Sequence, residues 1–189
     1  MRGFGSIDRR SILGARSACL PIFLLTFAFL SGGCGFIPAS VDVDLDYPFI
    51  VAGGLSSVQP EPLPGVGSEV RQTLSNEGVP VDRVREIRVT RLELVHLEPV
   101  CQVQLGCDLG FIQSLEVFVD SPGLERKRLG SITSPGQVRI IEMAIDDVEL
   151  SDYIRAESMT FVAHITLDGR PIQDVHLEIR STLGVDVRV

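Results

Sequence analysis

Apolar side chains at every second position dominate the chain after residue 40 and constrain its fold more than any other feature. Between residues 41 and 47 the odd positions are Val, Val, Leu and Tyr, and every even position is Asp. The same period returns at 115–119, 159–167, 175–179 and 183–189. Successive side chains of a strand point to opposite faces, so this pattern predicts strands with one buried face and one face in water.

About seven or eight short strands, separated by turns with little helix between them, are typical of a sandwich of two sheets. No long helix, strand–helix–strand rhythm or internal repeat competes with this interpretation. We therefore predict a mainly β domain, an antiparallel β-sandwich of immunoglobulin-like type, with a small barrel as the alternative. The chain has no tryptophan, so the core signature of antibody domains is missing and only the architecture is predicted.

Two breaks in the alternation organise the first half of the domain. Residues 52–68 are rich in Gly, Pro and Ser and predict a loop, after which a short helix is expected over 68–76. In the segment 84–98 the apolar positions change from odd to even, which a β-bulge near residues 90–91 explains. The alternative is a helical turn over 82–85, with a strand that begins later.

Further strands are predicted in the second half at 115–119, 127–133 and 138–146, together with a helical turn at 150–155. The strand at 138–146 is expected to place its apolar residues on one face: Ile141, Met143 and Ile145.

The last part of the chain predicts a hairpin whose odd-numbered residues are buried. If residues 168–172 form its loop, His164 stands opposite His176 on the outer face. Two facing histidines are a weak candidate for a transition-metal site or a pH sensor. In the alternative register His164 faces Asp174, which is an ordinary polar pair.

The first 33 residues have the parts of an export signal. Four arginines face a single aspartate before residue 17, and the stretch 17–33 is uncharged and largely apolar. This stretch is shorter than the roughly 20 apolar residues of a membrane span, and it ends in small residues. We therefore expect residues 1–33 to be removed as a signal peptide. The alternative is an uncleaved membrane anchor, but Pro21 and the Gly32-Gly33 pair do not suit a membrane-spanning helix.

The signal ends in Leu30-Ser31-Gly32-Gly33-Cys34, which resembles the lipobox of bacterial lipoproteins. The resemblance implies cleavage before Cys34, diacylation of that cysteine and stable attachment to a membrane, since two acyl chains hold a protein firmly. An ordinary signal with a chance cysteine is the alternative. Gly35 stands where an aspartate retains lipoproteins in the inner membrane, so the resemblance favours the outer membrane, facing the periplasm. Arg9-Arg10 leaves twin-arginine export open beside the general secretory route.

The predicted organisation is a signal peptide at 1–33, a lipid-attachment site with a short linker at 34–40, and a β-sandwich domain at 41–189. The chain carries a net charge of −8, and the signal, with four Arg against one Asp, carries +3, so the mature part carries about −11. A nucleic-acid partner needs many basic contacts to phosphate, and this charge argues against that class. The expected partners are the membrane, through the lipid, and an envelope protein.

Cys101 and Cys107 form an even pair in a chain that is expected to leave the cytoplasm, which predicts a disulfide. A metal site would need further ligands, and His96 is the nearest histidine. The spacing also differs from the Cys-x-x-Cys of redox pairs. No cofactor is predicted.

The aspartates at 42, 44 and 46 have the spacing of calcium-loop ligands. Tyr47 and Gly53, however, stand where such a loop needs its glycine and its bidentate glutamate. A solvated strand face is therefore the preferred interpretation.

The sequence contains no nucleophile elbow, phosphate-binding loop or zinc-protease motif. We expect a non-enzymatic lipoprotein with a binding or scaffolding role, with contacts in the loops 52–68 and 101–107. One alternative is an envelope hydrolase whose site assembles from His96 or His164 and distant carboxylates. The other is an assembly or chaperone partner that donates or accepts a strand at an open edge, 183–189.

Overall fold

A computed structural model of the protein describes residues 39–55, 58, 60–63, 65–97, 108–156, 158–171 and 173–188. All of them belong to the compact unit Gly35–Val189. Their elements are β1 (Ser40–Val51), β2 (Glu61–Leu63), α1 (Val66–Asn76), β3 (Val84–His96), β4 (Ile112–Asp120), β5 (Lys127–Thr133), β6 (Ile140–Glu142), β7 (Ala144–Ile145), α2 (Ser151–Arg155), β8 (Thr160–Leu167) and β9 (Val175–Val187). A 3₁₀ turn at Val81–Arg83 leads into β3. No helix in these ranges is long and apolar enough to cross a bilayer.

The strands form two sheets, and every pair of neighbouring strands is antiparallel. One sheet has the order β1-β9-β3-β6 and the other the order β2-β8-β4-β5-β7. Both contribute buried aliphatic side chains to one core. The antiparallel β-sandwich that the alternation predicted is thus confirmed.

The strand pairings are nested around the β4–β5 connection. β4 pairs with β5, β3 with β6, β2 with β8 and β1 with β9, as in a long two-stranded ribbon that has been rolled up. Rolling adds the contacts of β9 with β3 and of β8 with β4. This is the strand order of a jelly roll, a sandwich built from two Greek keys. Local alternation is the same for an immunoglobulin-like order, so the sequence predicts the architecture and leaves the order open.

Strand β1 shows the predicted alternation along its whole length. Its odd-numbered residues are buried and its even-numbered residues, including the three aspartates, are exposed. The Tyr47 hydroxyl donates to Glu69 Oε2 of α1 at 3.1 Å, and the Tyr47 ring meets Phe161 edge-on, with 6.3 Å between centroids. β1 therefore joins the core to helix α1.

The phase change in β3 is a β-bulge, as predicted. The register of β3 against β9 shifts between Val89 and Arg91, and the extra residue keeps both Ile87 and Leu92 on the buried face. The alternative helical turn is also present in part, as the 3₁₀ turn that precedes the strand.

The predicted C-terminal hairpin is wrong. β8 and β9 follow each other in the chain, but β8 pairs with β2 and β4, whereas β9 pairs with β1 and β3. Both strands bury their odd-numbered residues as expected, because each presents its inner face to the same core from a different sheet. The segment between them therefore connects the two sheets.

The strand predicted at 138–146 is also wrong as a single element. β6 pairs with β3 in the first sheet, and β7 pairs with β5 in the second. Met143 lies between them, buried, and donates its N–H to the carbonyl of Leu92 at 2.8 Å. The chain changes sheet at this residue, which leaves Ile145 exposed while Ile141 is partly buried.

The two helices add apolar side chains to the core. Helix α1 begins two residues before its predicted start, and its buried side chains recur at every fourth position: Val66, Val70 and Leu74. Gly67 of α1 donates its N–H to Met159 O at 3.1 Å, and a Cβ there would lie 3.1 Å from Met159 Cβ. Helix α2 confirms the helical turn predicted at 150–155. Just after this helix, the carbonyl of Ala156 accepts a hydrogen bond from Arg71 Nη2 of α1 at 2.8 Å.

The predicted open edge at 183–189 is wrong, because β9 lies between β1 and β3. In the described ranges the outermost strands are β1 and β6 in one sheet, and β2 and β7 in the other. The loop predicted at 52–68 contains β2. Pro62 stands in this edge strand and has no N–H to offer an added strand, which discourages edge-to-edge pairing.

Candidate functional site

The two histidines of the predicted pair lie in different sheets. His164 of β8 is opposite Glu116 of β4, and its ring lies 4.9 Å from that of Phe118, centroid to centroid. His176 of β9 is opposite Ile50 of β1. The weak metal candidate at His164 and His176 is therefore wrong, because the pair depended on the hairpin that the fold does not contain.

In the described ranges, no group of three or more His, Cys, Asp or Glu side chains is placed to hold a metal ion. Asp44 Oδ1 accepts a hydrogen bond from the Thr182 hydroxyl at 2.7 Å, and Asp46 Oδ1 lies 4.0 Å from Arg180 Nε. The aspartates of β1 are thus a solvated and partly paired strand face. The predicted lipid and disulfide cysteines lie outside the described residues: Cys34, Cys101 and Cys107.

A groove of about 560 Å³ lies where β2, β8 and the β4–β5 turn meet. Its apolar lining is Pro60, Pro62, Pro122 and Val162. Its polar lining is Asp120, Ser121, Arg126, Ser158 and Thr160.

The polar groups of this groove bind one another. Ser121 Oγ donates to the carbonyl of Ser158 at 2.5 Å, and Arg126 Nε donates to Asp120 Oδ2 at 3.1 Å. No histidine is among the described lining residues. His96, a candidate base of the hydrolase hypothesis, is buried opposite Leu177. Among the described lining residues, the serines therefore have the carboxylate of Asp120 beside them but no histidine.

A second surface lies on the outer face of the first sheet, at the end away from Ser40. The strand registers place two rows of residues side by side: Pro48, Glu178, Val95 and Ile140, and then Ile50, His176, Leu97 and Val138. The second row continues the ladder through the hydrogen bonds Leu97 N–H to His176 O, 2.9 Å, and His96 N–H to Arg139 O, 2.8 Å. Val95 of the first row is buried, with 5% of its surface exposed. We call the other apolar members the distal patch: Pro48, Ile50, Leu97, Val138 and Ile140.

The distal patch holds the most exposed large apolar side chains in the described chain. Ile50 and Ile140 are 56% and 55% exposed, and Val138 is 39% exposed. Leu55, which follows β1 at the same end, is 44% exposed. Single exposed apolar residues are common, but grouped ones mark interaction surfaces. The patch is thus the part of the described surface best suited to bind another molecule.

A charged row borders the distal patch. Asp46, Arg180, Glu93 and Glu142 stand next to one another across the four strands of the sheet, and we call them the acidic row. Glu93 is buried and accepts from Arg91 Nη2 at 2.7 Å, while Arg180 Nε donates to Glu178 at 2.5 Å. Glu142 makes no ion pair with the described residues. The exposed members of this row are therefore mixed in charge: Asp46, Arg180 and Glu142.

The distal patch was not predicted from the sequence, although β1 contained a signal for it. Its even positions from 42 to 46 are Asp and face water, so an isoleucine at the even position 50 breaks the pattern. Val138 and Ile140 gave the same signal, because the inner face predicted for their strand, at the odd positions 141–145, leaves them on the outer face. The contact region expected at 101–107 lies outside the described residues, and the described part of the region 52–68 includes the exposed Leu55.

Comparisons with known proteins identify no family. No family model matches the chain, and no curated protein matches it significantly. Among solved structures it is similar to a chain from Desmodium yellow mottle tymovirus, with 11% identity, a TM-score of 0.29, and coverage of 93% of this chain and 97% of that one. A chain from Cocksfoot mottle virus gives 12% identity, a TM-score of 0.30, and coverage of 92% and 97%. The jelly-roll order rests on the strand pairing described above.

Proposed function

We propose that this protein is a non-enzymatic lipoprotein of the bacterial cell envelope, anchored through Cys34, whose jelly-roll domain binds a protein partner. The Leu30-to-Cys34 segment, which resembles a lipobox, supports the anchor. The proposed location is the outer membrane, facing the periplasm, where the Cys101–Cys107 disulfide would form under oxidising conditions.

The distal patch is the observation that carries the binding role. β1 starts at Ser40, six residues after Cys34, and reaches Ile50 at its other end. At about 3.3 Å per residue, Ile50 lies roughly 30 Å from Ser40 along the strand. The patch therefore lies at the end of β1 away from Ser40, the residue with which the strand begins after the proposed anchor.

Substitution of Cys34 by alanine tests the anchor. In a bacterial host, Cys34→Ala is expected to abolish labelling by a palmitate analogue and to move the processed protein from the membrane pellet to the soluble fraction. Two acyl chains account for this loss, since each buried CH₂ contributes about 0.8 kcal/mol to membrane binding. Membrane retention of a processed Cys34→Ala protein would contradict the proposal.

Cys19→Ala is the matched control, because it removes the other cysteine of the same segment. It should leave both labelling and fractionation unchanged. Loss of labelling in both variants would show that the proposed segment does not act as a lipobox at Cys34.

A further inference from the structure

We propose that Asp168 is a site of spontaneous covalent modification, at which the aspartate converts to isoaspartate through a succinimide. Asp168 and Gly169 are the only Asp-Gly pair in the sequence. They follow β8 directly, in the connection that leads from the second sheet to β9 in the first. The reaction requires neither the lipid anchor nor a binding partner.

The reaction joins two groups of this dipeptide. The main-chain nitrogen of Gly169 attacks Cγ of Asp168 and forms a C–N bond, while the nitrogen loses its proton and a carboxyl oxygen leaves as water. Water then opens the resulting five-membered ring. Opening at the side-chain carbonyl restores aspartate, whereas opening at the main-chain carbonyl leaves the chain running through Cγ, which is isoaspartate. The water that is lost is regained, so no oxidant or other reactant is needed.

The structure leaves both reacting groups unengaged. Asp168 and Gly169 are exposed. In the described part of the chain, the Asp168 carboxylate makes no hydrogen bond or ion pair, and the Gly169 N–H makes no hydrogen bond. A Cβ on Gly169 would meet no atom within 4 Å, and its φ of 115° is one that glycine adopts without strain. The space around the attacking nitrogen is therefore open to the carboxyl group.

Asp174, in the same connection, lacks these properties. It is followed by Val175, whose branched side chain crowds the main-chain nitrogen. Its Oδ1 also accepts the N–H of Gly53 at 2.8 Å, which holds the carboxylate away from its own main chain. Two aspartates that are close in the chain should therefore differ in reactivity.

The fold can accommodate isoaspartate at this position. The modification adds one carbon atom, Cβ of residue 168, to the main chain. The Asp168 N–H donates to Phe111 O at 2.8 Å, and Pro171 O accepts the N–H of Gly54 at 2.7 Å. The added atom lies between these two hydrogen bonds, in an exposed segment, so both sheets can keep their pairing. We therefore expect the modification to accumulate in the folded protein.

Ageing of the full-length protein, purified in detergent and kept folded in mildly acidic buffer for several weeks, tests this inference. Transfer of a labelled methyl group from S-adenosylmethionine by a protein isoaspartate methyltransferase measures the isoaspartate formed. Mass spectrometry with electron-transfer fragmentation locates it in the chain. Isoaspartate at residue 168 should exceed that at Asp174, the internal control, several-fold.

Asp168→Glu is the matched variant, because it keeps the charge and Gly169 but would have to close a less favourable six-membered ring. Methyl labelling should fall to the level of the unaged protein. Equal labelling of Asp168→Glu and the native protein, or no isoaspartate at residue 168, would overturn the inference. Isoaspartate that forms in urea but not in the folded protein would show that the fold protects this pair, and would overturn it as well.

Discussion

The carboxylate of Glu149 connects the start of helix α2 to strand β3 through hydrogen bonds. Its Oε1 accepts the N–H of Ser151 at 2.8 Å and the N–H of Ile87 at 3.3 Å. Burial acts to raise the pKa of this carboxyl, but the hydrogen bonds from Ser151 and Ile87 and the charge of Arg155 leave its pKa below the usual range. The ionised form is thus favoured by folding. No periodic pattern in the sequence indicates this role.

Glu149→Gln should lower the free energy of unfolding at neutral pH by about 1 kcal/mol, because an ionised acceptor of two backbone N–H groups is replaced by a neutral one. A carboxyl whose pKa is lower in the folded state stabilises the protein above its unfolded pKa, and this stabilisation is lost as the pH falls through the folded pKa. The difference in free energy of unfolding between Glu149→Gln and the native protein, measured with urea, should therefore be smaller at pH 3 than at pH 7.

Glu142→Gln provides the comparison for this measurement, since Glu142 is exposed and makes no hydrogen bond with the described residues. Its effect on stability should be small at both pH values. A Glu149→Gln difference that stays constant with pH would contradict the assigned role of the carboxylate.

At the scale of elements, the sequence predicted which face of a strand is buried, but it did not predict which strands pair with one another. The odd-numbered burial of β1 and the bulge of β3 could be read locally, because alternation and its change of phase are local properties. The partner of a strand is set by contacts distant in the chain. Strands β8 and β9 show the difference, since burial of their odd positions fits both a hairpin and two facing sheets. The distal patch escaped prediction for this reason, because it is assembled from β1, β9, β3 and β6.

The sheet crossing at Met143 depends on a glycine in β5. Gly130 is opposite Ile145 of β7, and a Cβ there would lie 2.7 Å from Ala144 O and 2.8 Å from Leu92 Cδ2. The backbone of β7 and the side chain of Leu92 in the first sheet therefore lie too close to Gly130 for a side chain at this position. Its place inside the strand predicted at 127–133 is typical of a bulge or a close backbone approach, but the sequence does not show which element approaches it.

Gly130→Ala should lower the free energy of unfolding by about 1–3 kcal/mol, as overpacking of a core does. Ser131→Ala, at the next position of β5, should have a much smaller effect. Chemical denaturation of both variants by urea measures the difference. Equal stability of the two variants would show that β7 does not approach β5 as described.

At the scale of the molecule, the two ends of strand β1 have separate roles in the proposed function. One end continues into the linker to Cys34, and the other carries Ile50 of the distal patch. Acidic residues cover the face between them, and the net charge of −8 favours solubility. A rigid jelly roll fixes the separation, because β1 pairs with β9 along all of its length.

The proposed function depends on the claim that lipid is attached at Cys34, and the intact mass of the protein purified from the membranes of a bacterial host is the decisive test of this attachment. We predict a polypeptide that begins at Cys34 and carries a diacylglycerol on that residue, with Cys101 and Cys107 lighter by two hydrogens as a disulfide. A polypeptide that keeps residues 1–33, or one that begins elsewhere and carries no lipid, would contradict the claim.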